Sequence, residues 1–167
     1  MSFSGQVKEE LAKCMASGKH CQLSELLAIK TFSTKNLEGE EAAKWEDFPN
    51  ENELSTRKFF TLLKKTDNIR KEIAALADIK RLCCKRAFLR GAFLCVGSIS
   101  DPEKSNHLEF VCTNEEMADL LIEYMAEFEI VANKLYNYRL AGGGQMVVNY
   151  EFNTNATPTV KTIGNLP

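Results

Sequence analysis

Between Cys83 and Val96, small side chains fall at Ala87, Gly91 and Cys95, a spacing of i, i+4 and i+8 that puts them in one stripe of a helix. A second helix backbone can come close along such a stripe. Phe88, Leu89, Ala92, Phe93 and Val96 supply apolar flanks, and Gly97 marks the helix end. When His20-Cys21 is laid on Cys83-Cys84, Ser24 and Ala28 fall on Ala87 and Gly91. The pattern predicts that helices 21–32 and 83–96 pack side by side through Ser24, Ala28, Ala87 and Gly91, at the centre of the fold.

Elsewhere the periodicity alternates between helix and strand. Val7 and Leu11 predict an opening amphipathic helix from Ser4 to Ala16, broken at Ser17-Gly18-Lys19. Thr34 to Asn52 is polar and acidic and reads as loop. Helix returns from Glu53 to Lys65 with a basic edge, and Ile69, Ile73, Leu76 and Ile79 have helical spacing. Asp101-Pro102 makes a turn within 98–105. His107 to Cys112 alternates as a strand, and Glu115 to Phe128 is the cleanest amphipathic helix. Ile130–Leu140 and Met146–Phe152 read as a hairpin around Gly142-Gly143-Gly144, where no Lys-Ser/Thr follows to make a phosphate loop. Tyr136, Tyr138 and Tyr150 are read as sheet packing. The order helix, strand, helix, hairpin from 83 repeats a degenerate pattern begun at 21, which gives an α+β fold of two related units.

Charge and thiols limit the function. The formal net charge of −2 excludes a surface built wholly for nucleic acid. Its distribution is uneven: Arg57 to Arg90 holds eleven Lys/Arg against three acids, and Asp101 to Glu129 holds nine acids against Lys104 alone. Lys64, Lys65, Arg70, Lys71, Lys80, Arg81, Lys85, Arg86 and Arg90 are therefore the candidate contacts for a nucleic-acid backbone, with a solvated basic face as the alternative. The six cysteines lack the loop-rich setting of a disulfide scaffold and read as reduced, buried thiols. His20-Cys21 with Cys83-Cys84 is the one suggestive metal-ligand set, and the reading adopted is no metal and no cofactor. Neither His20 nor His107 sits in a catalytic arrangement, and no paired acids appear at convincing spacing. The opening residues do not read as a secretory signal, and Arg90 interrupts the most apolar stretch, so the chain reads as cytoplasmic, with no membrane partner.

The opening MSFSGQVKEELAK, then HCQLSELLAI, RKFFTLLKKT and above all CCKRAFLRGAFLCVGSISDPEKSNHLEFVC resemble the WhiA family of bacterial sporulation and cell-division regulators. The resemblance covers residues 1–29, 51–70 and 82–134. Members are similar to duplicated LAGLIDADG homing endonucleases in their N-terminal part and carry a helix-turn-helix domain behind it. It implies a degenerate duplicated LAGLIDADG-like fold, a helical pair packed on antiparallel strands. The repeats would span 1–80 and 81–152, with a frayed tail at 153–167 and the helix-turn-helix domain absent from the chain. It also implies a DNA-binding regulator, associated with the nucleoid. Without that domain, DNA contact would be weak and largely nonspecific, through phosphates. The chain would then be a truncated or divergent paralogue, and a protein-interaction domain using the acidic helix or the hairpin is the alternative. LAGLIDADG nucleases hold a metal through an acid beside the closing glycine of each motif. Here Val96 and Ser33 occupy those places, so the resemblance implies no catalysis.

Overall fold

A computed structural model describes residues 2–33, 53–65, 79–113, 115–137 and 145–152. The elements are α1 (Phe3–Lys13), α2 (Lys19–Ser33), α3 (Glu53–Lys65), α4 (Leu82–Val96), β1 (Gly97–Ile99), β2 (His107–Cys112), α5 (Glu115–Ala126), β3 (Asn133–Asn137) and β4 (Gln145–Glu151). The readings of 34–52 as loop, of the glycine turn and of the 153–167 tail lie outside the described residues, as does that of 69–82 as helix up to residue 78; residues 79–81 are not helical, and Leu82 begins α4.

Helix α1 begins where Ser2 Oγ accepts the Gly5 backbone N–H at 3.0 Å, which satisfies one of the unpaired donors of a helix start. Helices α2 and α4 form the largest contact between described elements. They run in the same direction: Ser24 Oγ donates to the Cys84 carbonyl at 2.6 Å, Gly91 faces Glu25 and Ala28, and Cys95 Sγ reaches the Ile29 carbonyl. Ser24, Ala28 and Ala87 are buried. A Cβ at Gly91 would lie 2.6 Å from the Glu25 carbonyl oxygen and 3.0 Å from the Ala28 Cβ. Helix α4 also touches α1, α3, α5, β1 and β2, and ten of its residues are buried.

The strands form one antiparallel sheet in the order β1-β2-β4-β3. The alternation of HLEFVC places Leu108, Phe110 and Cys112 on the core face, opposite Tyr150, Val148 and Met146 of β4. Phe93 of α4 meets Phe110 edge-on at 6.0 Å, and Phe88 links α2 to α5 through Phe32 and Tyr124. Ser98 and Ile99, read as turn, join Gly97 in strand β1, tied to α1 where the Ile99 N–H donates to Ser4 Oγ. Gly97 ends α4 in extended conformation, φ −84°, so its glycine serves close packing: a Cβ there would lie 2.2 Å from Phe93 Cδ2.

Replacing Gly91 with Ala already pushes a methyl into backbone, and Leu is worse. Gly91→Leu should cost about 1–3 kcal/mol of overpacking. Urea unfolding measures this, and a variant as stable as the parent would show that the helices are not in this contact.

Candidate functional site

The α2–α4 seam is also where the polar chemistry concentrates. Glu25 stands on the apolar face of α2 and is fully buried. Its carboxylate takes a two-pronged hydrogen bond from Arg90, Nε to Oε1 at 3.1 Å and Nη2 to Oε2 at 2.9 Å, while Lys58 of α3 lies 3.0 Å from Oε1. Lys58 Nζ also donates to the Leu11 carbonyl at 2.9 Å and to the Cys14 carbonyl. Those carbonyls lie at the C-terminal end of α1, where a cation offsets the helix dipole. Burial pulls the Lys58 ammonium below its ordinary pKa, against the opposing pull of Glu25.

Arg90 therefore does not serve as a DNA contact. Ten of the fifteen residues of α4 are buried, Arg90 among them, and a guanidinium at such a position must be paired inside. Lys85 is also buried: its Nζ lies 2.6 Å from Glu127 Oε1 and 5.4 Å from the Tyr124 ring centroid. Arg86 is half-buried, its guanidinium 5.3 Å from the Phe128 ring centroid. Lys64, Lys65, Lys80 and Arg81 are exposed, and Arg70 and Lys71 lie outside the described residues. The sheet face turned away from the helices carries Ser98, Glu109, Asn149 and Glu151, and no Lys or Arg among the described strand residues. Lys134 points to the other face, where it pairs with Glu115 and Asp119 of α5. Tyr136, read as sheet packing, is 48% exposed, while Tyr150 packs against the core and Tyr138 lies outside the described residues.

At the N-terminal ends of α2 and α4, four ligand-type atoms converge. His20 Nδ1 lies 3.3 Å from Cys21 Sγ, 3.2 Å from Cys84 Sγ and 3.9 Å from Cys83 Sγ, and all four groups are within 4.8 Å of one another. Burial, then the neighbouring thiols, pushes Cys21 up to about 12, and the same causes raise Cys84. The sequence pairs these residues by repeat alignment, but only the helix packing brings them together.

Two helices packed in parallel along a small-residue seam, backed by an antiparallel sheet, define a LAGLIDADG-like domain. Residues 85–140 match the family model described as the WhiA LAGLIDADG-like domain. The chain is similar to WhiA proteins along most of its own length. It is 33% identical over 198 residues to the probable cell division protein WhiA of Lachnoclostridium phytofermentans, covering 89% of this chain and 63% of that one. The protein of the same name from Lachnospira eligens is 31% identical over 207 residues, covering 98% of this chain and 64% of the relative. The chain thus spans just under two thirds of these relatives. Its fold matches full-length WhiA from Thermatoga maritima with a TM-score of 0.74 at 18% identity, covering 98% of this chain and 62% of that one. It matches the N-terminal LAGLIDADG domain of WhiA with a TM-score of 0.71 at 19% identity, covering 98% and 90%.

Glu25→Ala should destabilise by about 3–5 kcal/mol, because it strands two buried cations, whereas Arg90→Met leaves Glu25 paired with Lys58 and should cost less. Equal losses in urea unfolding would contradict the network. The sign of the pH dependence also follows. Because the folded Lys58 loses its proton below the ordinary 10.5, the unfolded chain holds more protons in that window, and stability rises with pH through it. Measured against Lys58→Met, the parent should gain stability as pH approaches 10.5.

Proposed function

We propose that this chain is a non-catalytic LAGLIDADG-like module of a cell-division regulator that touches DNA weakly, through its phosphates. The observation that carries the absence of catalysis is the chemistry at the ends of the paired helices. Helix α2 ends at Ser33 and α4 at Val96, and neither residue brings a carboxylate to hold a divalent cation. Lys64, Lys65, Lys80 and Arg81 are the exposed candidates for backbone contact. Such contacts position a protein without reading sequence. A role in transcription control and sporulation rests on the family resemblance.

The acidic face of the sheet favours one second reading, a protein-interaction domain. Glu109 and Glu151 there repel phosphates, and Leu135 is 52% exposed on the same face. A basic or apolar protein surface fits that face better than DNA does.

Salt-dependent retention on duplex DNA separates the two. Reversing Lys64 and Lys65, or Lys80 and Arg81, to Glu should reduce the slope of log K against log salt by about two. Reversing Glu116 and Glu123 to Lys should leave the contact in place. No retention by the parent at low salt would reject the DNA reading and favour the protein-interaction one. Incubation of duplex DNA with magnesium should give no cleavage. Cleavage that disappears in Asp101→Asn or Glu103→Gln would overturn the non-catalytic reading.

A further inference from the structure

We propose that His20, Cys21, Cys83 and Cys84 form a structural zinc site that staples the N-terminal ends of α2 and α4. Three thiols and one imidazole are the donor set of closed, four-coordinate zinc sites. Bond lengths of about 2.3 Å to sulfur and 2.0–2.1 Å to nitrogen put tetrahedral ligand atoms about 3.5–3.8 Å apart. The contacts of 3.2, 3.3 and 3.9 Å around His20 Nδ1 need only small adjustments to reach that geometry.

The surroundings are built for the same purpose. Gly18 leaves room for the imidazole: a Cβ there would lie 2.9 Å from His20 Nε2, so the missing side chain lets the ring lie back with Nδ1 toward the sulfurs. The Ser24 hydroxyl holds the Cys84 carbonyl at 2.6 Å and fixes the turn that presents Cys83 and Cys84. Cys21 and Cys84 are buried beside Ala16 and Ala87, while Cys83 is half-buried and leaves a route of entry. Zinc with three thiolates and a neutral imidazole carries one net negative charge. Two helix N-termini point their positive dipole ends at it, with Lys19, Lys80 and Arg81 beside them in sequence. All six cysteines are free, so no disulfide competes for these sulfurs.

Binding takes one proton from each of the three thiols and releases it to solvent, so affinity falls as the pH is lowered. With the ligand set closed, zinc has no open position for substrate. Its role is to hold together two helices whose ligands are far apart in sequence.

The test uses the whole chain, purified with zinc and dialysed. One zinc per chain is expected by elemental analysis. Replacement with cobalt should give the thiolate charge-transfer band and the intense visible bands of tetrahedral coordination. Cys83→Ser and His20→Ala should each weaken zinc binding by about tenfold or more, with Cys14→Ser unchanged. Substoichiometric metal in the parent, a cobalt spectrum without the thiolate band, or binding unchanged in both variants would overturn the proposal. So would a native disulfide among Cys21, Cys83 and Cys84. The cobalt spectrum of the parent decides the matter even where a variant fails to fold.

Discussion

Helix α4 can lie against α2 only because Gly91 brings no Cβ to the Glu25 carbonyl oxygen. That approach sets the distance at which the rest of the seam meets. It brings Arg90 within bidentate reach of Glu25, Ser24 onto the Cys84 carbonyl and Cys95 onto the Ile29 carbonyl. A wider spacing would separate a carboxylate from a guanidinium that are both shut off from water. Close packing and ion pairing here are therefore one constraint, and each holds the other in place.

The third helix is recruited by the same carboxylate. Lys58 reaches Glu25 from α3 and at the same time binds the carbonyls at the end of α1, so one ammonium joins three helices. On the opposite side, Phe32, Phe88 and Tyr124 carry the contact from α2 through α4 to α5, and Phe93 carries it to Phe110 in the sheet. Helix α4 is thus the common wall of two cores, one polar at its centre and one aromatic.

Much of this was legible in the residues. The small-residue stripe, the alternation of HLEFVC and the periodicity of Glu115 to Phe128 each depend on local spacing, and each element stands close to where the spacing puts it. Strand β1 was missed because three residues are too few to show a period, and its existence depends on pairing with β2. Arg90 was misread for a different reason. Its spacing from Arg86 suggests a shared basic face, but Arg86 is half-buried and Arg90 lies wholly inside, on the side of α4 that meets α2 and Glu25. The available signal was an isolated Glu25 among Leu23, Leu26, Leu27 and Ile29: a lone acid and a lone base on two helices already expected to touch. The His20 and cysteine set was visible as a repeat correspondence, and its convergence depends on the parallel direction of the two helices.

The same geometry explains why basic content in the sequence overstated the basic surface. Of the nine candidate cations, Lys85 and Arg90 are consumed inside the fold, one by Glu127 and the other by Glu25. Their positive charge is offset by the buried Glu25 and the exposed Glu127 and contributes little to the field outside. On the far face of the sheet, Glu109 and Glu151 add negative potential with no described strand cation to offset it. Among the nine candidate cations, the exposed ones that are described, Lys64, Lys65, Lys80 and Arg81, lie on the helical side, opposite these acids. The two proposed contacts thus draw on different sides of the described fold, nucleic acid on the exposed helical cations and a protein partner on the acidic sheet face.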